Sequence, residues 1–290
     1  MKKWTVRPGD GDTVAAVLVR AGCDDDAVRE GRVFLGRRRV KRGDEPVRPG
    51  DELTVAPQRA DAGDSVVILA STGDLVAADK PAGIPTIPDH AGGAHSLVAR
   101  VARTVGLDVS DLHPTSRLDS AVSGVVVFTR TKAARDRLAL ARAAGAYHRR
   151  YIAISARAPA LERGAWDAPV KGVPSRSLYA VVARAPAGAS MLAVAPQTGR
   201  THQIRIHASG AGAPLIGDRS YGGPTRVTLP TGRVLQPGRI ALHAARVVVP
   251  GADGQPLVIS SPVPPELRSL WSALGGEGAA WEGALACALD

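Results

Sequence analysis

Asp119 lies in a run of small and polar residues, His113-Pro114-Thr115-Ser116-Arg117-Leu118-Asp119-Ser120-Ala121-Val122-Ser123-Gly124, that leads into the apolar segment Val125-Val126-Val127-Phe128. A carboxylate in such a loop can act as a nucleophile or steady a positive charge, provided it is ionised. Ser123-Gly124 lets the backbone turn tightly before the strand. Taken alone, Arg117-Leu118-Asp119 is better explained as a surface ion pair. A second stretch changes that reading. From Arg200, the eight residues Arg200-Thr201-His202-Gln203-Ile204-Arg205-Ile206-His207 hold two arginines, two histidines and a glutamine, with no acid among them. That density of donors suits recognition of phosphate or carboxylate, which arginine can grip with two nitrogens. A buried aspartate needs such a partner to keep its charge. As a strand, this stretch would put Ile204 and Ile206 on one side and Gln203, Arg205 and His207 on the other. As a helix, it would begin near Thr201, and both options stay open. His202 and His207 are expected to be structural hydrogen-bonders without an acid–base role.

The 37 Lys and Arg against 27 Asp and Glu give a net charge of +10, which points to a polyanionic partner. Aromatics are only 3% of the chain, so aliphatic residues must fill the core and any aromatic in a site carries extra weight. Cys23 and Cys287 stand near opposite ends, with no CxxC and no His at metal spacing, so neither a disulfide framework nor structural zinc is expected. The opening MKKWTVRPGD has no apolar signal core, and no apolar run reaches the roughly 18 residues of a membrane helix. A cytoplasmic monomer without metal or cofactor is expected.

Residues 1–57 read as a small unit. Asp12-Thr13 can cap a helix through Val14, Val17 and Leu18 that stops at Gly22, and Asp24 to Asp26 can open a second that ends at Gly31. A small twisted hairpin follows, with turns at Gly36 and Pro49-Gly50-Asp51. Seven basic residues, Arg29, Arg32, Arg37, Arg38, Arg39, Lys41 and Arg42, face one acid, Glu30, and would offer a surface to phosphates. Residues 58–65 look like a linker. Beyond it, strands are expected at 66–69, 75–78, 125–128, 151–155, 178–182, 191–194, 247–249 and 257–260, with helices near 96–105 and 132–144. Many strands and few helices, without regular alternation, imply an α+β domain with a mixed, mostly antiparallel sheet. The Gly- and Ala-rich tail from Gly275 is expected to fray.

Six ordered segments resemble the RluA family of pseudouridine synthases. They are Ser116-Arg117-Leu118-Asp119-Ser120-Ala121-Val122-Ser123-Gly124, Thr198 to Arg205 (TGRTHQIR), Asp79-Lys80-Pro81-Ala82-Gly83, Arg149-Arg150-Tyr151-Ile152-Ala153, Gly212 to Asp218 with Tyr221-Gly222, and Ala241-Leu242-His243-Ala244. The resemblance implies a catalytic domain over 66–274, in which uridine within structured RNA is isomerised to pseudouridine. It places the nucleophile at Asp119, the active-site tyrosine at Tyr151 and the paired arginine at Arg205. Arg117, Lys80, Arg200, His202 and Gln203 are the expected substrate-binding residues. The target nucleotide must leave its stack first, at a cost of a few kcal/mol. Val28 to Val33 and Arg48 to Leu53 resemble the small αL RNA-binding module, which makes ribosomal RNA the first expected substrate and transfer RNA the second.

Four positions depart from the family pattern: Ser116 for His, Val122 for Thr, Asp79 for Asn and Arg149 for Lys. None removes the nucleophile or its arginine, but they bear on turnover and substrate choice. The main alternative is a non-catalytic RNA-binding member of the same fold. A small-molecule hydrolase using Asp119 would leave the Arg29 to Arg42 cluster without a use.

Overall fold

A computed structural model describes residues 2–23, 26–29, 32–36, 38–55, 65–88, 94–229 and 231–289. Backbone contacts divide the chain into two units, Met1–Val66 with Pro85–Val109, and Val67–Ile84 with Ser110–Asp290. The expected boundary at 66 is close to the first division, but residues 85–109 group with the N-terminal unit. The linker expected at 58–65 lies outside the described residues up to 64.

In the first unit, β1 (Lys2–Thr5), β2 (Val33–Leu35), β3 (Arg38–Arg39) and β4 (Glu52–Val55) form a sheet in the order β1-β4-β2-β3. Sequence reading found the hairpin but missed β1, whose Lys2-Lys3-Trp4-Thr5 lacks an apolar alternation. Helix α1 (Val14–Arg20) starts where Thr13 accepts from the Ala16 amide. It buries Val14, Val17 and Leu18 against Val33, Leu53 and Val55. Helix α2 spans Asp26–Arg29, and its expected start at Asp24 and stop at Gly31 lie outside the described residues. Helix α3 (Leu97–Val105) is capped by Ser96 and closed by Gly106 in the left-handed conformation.

The second unit is built on one sheet. Its strands are β5 (Val67–Ser71), β6 (Leu75–Lys80), β7 (His113–Pro114), β8 (Ser123–Thr129), β9 (His148–Ser155), β10 (Arg163–Trp166), β11 (Ser177–Arg184), β12 (Ser190–Pro196), β15 (Leu242–Pro250) and β16 (Pro256–Ser260), while β13 (Val227–Thr228) and β14 (Val234–Leu235) form a separate ribbon. The order is β10-β11-β12-β9-β15-β8-β6-β5, with β16 on β15 and β7 on β8. Among the described residues only β15 and β8 pair in parallel, so the sheet is mixed and mostly antiparallel, as expected. Every residue of β8 and β12 is buried, which accounts for their unbroken apolar runs. Helix α4 (Lys132–Ala143) is capped by Thr131 and buries Ala134, Leu138 and Ala141. Helix α5 spans Gln203–Gly210, which decides the open question about that stretch in favour of a helix.

The tail does not fray. Helices α6 (Pro265–Ala273) and α7 (Ala280–Ala286) place Trp271 and Trp281 in a core with Ile152, Met191 and Ile216. Two of the glycines that suggested looseness, Gly275 and Gly276, serve close packing. A Cβ on Gly276 would lie 2.1 Å from the Trp271 indole. Among the described residues no helix is long and apolar enough to cross a membrane.

Candidate active site

Asp119 sits on the loop that enters β8. The loop closes on itself where the Val122 amide donates to the Asp119 carbonyl (3.0 Å), and the Gly83 amide donates to the Ser120 carbonyl (2.7 Å). Lys80, at the end of β6, completes the support. Its Nζ donates to the carbonyls of Pro81 (3.0 Å), Ser120 (3.2 Å) and Val122 (2.6 Å). Burial, aided by the Arg239 charge and opposed by Asp119, pulls the Lys80 pKa down to about 7. Lys80 is fully buried, so its expected place among the substrate-binding residues is corrected: it holds the loop from beneath. Val122, a departure from the family pattern, is buried, and its carbonyl rather than a hydroxyl anchors the loop.

Gly124 explains the start of β8 differently from the expected turn. Gly124, Ala244 and Tyr151 form one row across β8, β15 and β9. A Cβ at Gly124 would lie 2.2 Å from the Ala244 carbonyl oxygen, so only glycine lets the two parallel strands meet beneath the loop.

The carboxylate faces the start of α5. Arg205 Nη1 donates to Asp119 Oδ2 at 2.7 Å. The other side of the guanidinium is held by Asp218, with Nε to Oδ2 at 2.7 Å and Nη2 to Oδ1 at 2.8 Å. Burial works against the charge on Arg205, but hydrogen bonds to Asp218 and Asp119 outweigh it and raise its pKa. His202 precedes α5 with φ of 59°, uncommon for a residue other than glycine. Its Nδ1 lies 2.9 Å from the Tyr221 hydroxyl, and its Nε2 lies 3.5 Å from Asp119 Oδ1. The Tyr221 ring also packs 4.9 Å under the Arg205 guanidinium. Asp119, Arg205, Tyr221 and His202 thus form a closed ring of contacts, with Asp218 bracing Arg205 from outside it and Asp119 at its open side.

That side faces a cavity of about 110 Å³ lined by Arg117, Asp119, Tyr151, Arg200, His202 and Arg205, among others. Tyr151 is buried except at this cavity, and burial raises its pKa. Arg117 and Arg200 are exposed at the lining, and neither guanidinium has a partner among the described residues. Gln203 lines the cavity as expected, but its side chain is turned into the protein. It is buried, its Oε1 accepts from Thr198 and the Arg200 amide, and its Nε2 donates to the Arg176 carbonyl and to Ser177. Every polar atom of that side chain is spent on shaping the 198–203 loop. Arg149 does similar work, donating from Nη2 to the carbonyls of Pro196 (3.0 Å) and Thr198 (2.9 Å). His207 is buried between Ser177 and the Ala168 carbonyl, the structural role expected for it.

Asp218 and Tyr221 were missed as functional residues, although both fall in a segment that carries the family resemblance. The usable signal was the absence of any acid around Arg200 to His207, since the balancing carboxylate comes from farther along the chain. A second missed group lies under the loop, where Arg239 and His243 Nδ1 both meet Ser123 Oγ (2.6 and 2.8 Å) and Ser261 Oγ donates to Asp79 (2.7 Å).

His243 gives this group a pH signature. Burial, opposed by hydrogen bonding to Ser261, pulls its pKa from 6.5 to about 4. As pH falls below 6.5 the unfolded chain takes up a proton that the folded chain refuses until about 4. Stability is therefore whole above that window and is lost across it, by about 3 kcal/mol. Chemical denaturation of wild type and His243→Gln between these pH values is expected to show the wild type falling more steeply by that amount. Parallel curves would mean that His243 is not held neutral.

In the N-terminal unit, Lys41, Arg38 and Arg42 are exposed, with Arg38 paired to Glu45 and Arg42 to Asp44. Arg39 is half-buried, 5.6 Å over the Phe34 ring. Arg32 is 8% exposed, which removes it from the expected phosphate-binding surface, because a buried guanidinium cannot reach phosphate without moving. Arg37 and the side chain of Arg29 lie outside the described residues.

The RNA pseudouridylate synthase family pattern matches residues 74–210. The chain is 30% identical over 277 residues to ribosomal large subunit pseudouridine synthase D of Xanthomonas campestris pv. campestris, spanning 88% of this chain and 82% of that protein. It is 29% identical over 201 residues to the dual-specificity RNA pseudouridine synthase RluA of Salmonella typhimurium, spanning 63% of this chain and 86% of that one. The solved structure of human RNA pseudouridylate synthase domain containing 1 shares the fold, with a TM-score of 0.59 at 19% identity over 80% of this chain and 100% of that one. With a relative 30% identical across 88% of its length, the chain belongs to the RluA family of RNA pseudouridine synthases, a family of isomerases.

Proposed function

We propose that the protein converts uridine to pseudouridine in structured RNA, ribosomal RNA first and transfer RNA second, with Asp119 as the working carboxylate on a nucleotide drawn out of its stack. The observation that carries this reading is the Asp119–Arg205 pair at 2.7 Å, set at the wall of a cavity whose other charged lining residues are basic. Whether the carboxylate attacks the base or the sugar, or steadies a charged sugar, it needs a fixed aim and an oxygen free of a strong partner. Arg205 holds Oδ2, and Oδ1, 3.5 Å from His202, is the oxygen left for chemistry.

Tyr151, on the strand beside that carboxylate, offers a ring to stack on the detached uracil. Its hydroxyl, without a protein partner among the described residues, can help move the proton from carbon. Arg117 and Arg200 supply free cations for the phosphates that flank the flipped nucleotide. Lys41, Arg38, Arg39 and Arg42 of the N-terminal unit act as an RNA-binding module of the αL type. Two relatives carry names that tie them to RNA, one to the large ribosomal subunit, which supports ribosomal RNA as first choice.

The test is incubation of the full chain with unmodified transcripts of large-subunit ribosomal RNA and of transfer RNAs, followed by pseudouridine mapping. Pseudouridine at defined positions is expected in the ribosomal transcript. Tight, salt-sensitive binding with no pseudouridine in any transcript would make the protein a binder only.

A further inference from the structure

Beside the active-site cavity lies a second one of about 240 Å³, sharing Arg142, Arg149 and Pro196 with it. Five basic side chains line this second cavity, Arg142, His148, Arg149, Arg150 and Arg246, and among the described residues no carboxylate side chain does. Three of these are tied to neutral carbonyls: Arg142 to Thr115, Arg149 to Pro196 and Thr198, and Arg150 to Cys287. For Arg142 and Arg149, whose hydrogen-bond partners among the described residues are all carbonyls, such bonds fix position and bring no counter-charge.

Arg246 is different. Its guanidinium makes no hydrogen bond or ion pair among the described residues, and its Nε, like that of Arg149, is buried with no acceptor. It also stands directly across the β15–β9 ladder from Arg150, so two guanidiniums share one wall of the cavity. A buried polar atom without a partner calls for an explanation, and a cluster of guanidiniums is the usual receptor for phosphate.

We propose that this second cavity is a subsite for a backbone phosphate of the RNA strand next to the target uridine, with Arg246 as its free cation. The choice of RNA phosphate follows from the shared wall: a strand leaving the Asp119 cavity along Arg142 and Arg149 passes into this one. The inference rests on the reading of the chain as an RNA-modifying enzyme.

The experiment uses the full chain, Arg246→Gln, Arg246→Lys and, as control, Arg184→Gln, whose guanidinium pairs with Glu162. Anisotropy of a fluorescein-labelled RNA stem–loop is read over a salt series, with inorganic pyrophosphate as competitor, and melting curves confirm that each variant is folded. Arg246→Gln is expected to weaken RNA binding about tenfold at low salt and to lower the slope of log K against log salt by about 1. Arg246→Lys is expected to restore the slope, and Arg184→Gln to leave it unchanged. On the ribosomal transcript, Arg246→Gln should raise KM and keep kcat. Unchanged affinity and slope in Arg246→Gln would overturn the subsite. Loss of pyrophosphate binding with RNA binding intact would overturn it as well, making the cavity a site for a free anion. Because the binding arm needs no turnover, a wild type that forms no pseudouridine would refute the catalytic reading and still leave the subsite measurable.

Discussion

Asp119→Asn is expected to lower pseudouridine formation by about 10⁴-fold or more while changing RNA affinity by no more than about twofold. The substitution keeps the shape of the side chain and removes its charge. The amide can still accept from Arg205 through its oxygen, but its nitrogen takes the place of Oδ1, the oxygen that faces the cavity with only a 3.5 Å approach from His202. Neither nucleophilic attack nor stabilisation of a charged sugar survives that exchange. Binding is expected to survive because the proposed contacts hold RNA through its phosphates, to which a carboxylate contributes nothing favourable. Stability should change by only about 1 kcal/mol, since the side chain is 26% exposed and keeps one hydrogen bond. Single-turnover nucleoside analysis gives the rate, and anisotropy with the same RNA gives the affinity. A rate within tenfold of wild type would remove the carboxylate from the chemistry. A parallel collapse of affinity would show that the variant damages the cleft rather than the reaction.

The pair at the heart of that prediction was legible because each member sits in a dense local pattern, and chain order with family resemblance joined two stretches 86 residues apart in sequence. The central strands were legible for a related reason: β8 and β12 are buried throughout, so burial wrote itself into continuous apolar runs. What stayed hidden was the division of labour among polar residues. Lys80 and Gln203 have the side chains of ligand-binding residues, yet their donors and acceptors are consumed by backbone carbonyls and neighbouring side chains. No residue type or spacing tells a donor aimed at substrate from one aimed at its own loop. The tail failed for the opposite reason. Gly276 reads as looseness in sequence but gives the Trp271 ring the space it needs. At β1 and β10 the strands are four residues long with little alternation, so pairing with neighbours rather than local pattern defines them.

Asp218→Asn is the change outside the reacting pair with the largest expected effect. Asp218 is 1% exposed and receives two of the three nitrogens with which Arg205 is held, the third going to Asp119. With asparagine there, an NH₂ group faces a guanidinium donor, one bond is lost, and the buried cation keeps only the partly exposed Asp119 as counter-charge. Breaking a buried pair of this kind costs about 3 kcal/mol or more. The guanidinium is then free to swing toward Asp119 and engage both of its oxygens, which covers Oδ1. Turnover should fall about a hundredfold in kcat with KM within threefold, because the proposed phosphate contacts lie elsewhere. A purely structural role predicts a different outcome: activity would be normal at any temperature where the variant is fully folded. The decisive measurement is therefore kcat well below the melting transition, together with the double variant. If Asp218 acts through Arg205 on Asp119, adding Asp218→Asn to Asp119→Asn costs stability but no further rate. A wild-type kcat in folded Asp218→Asn would mean that Arg205 aims the carboxylate without its second partner.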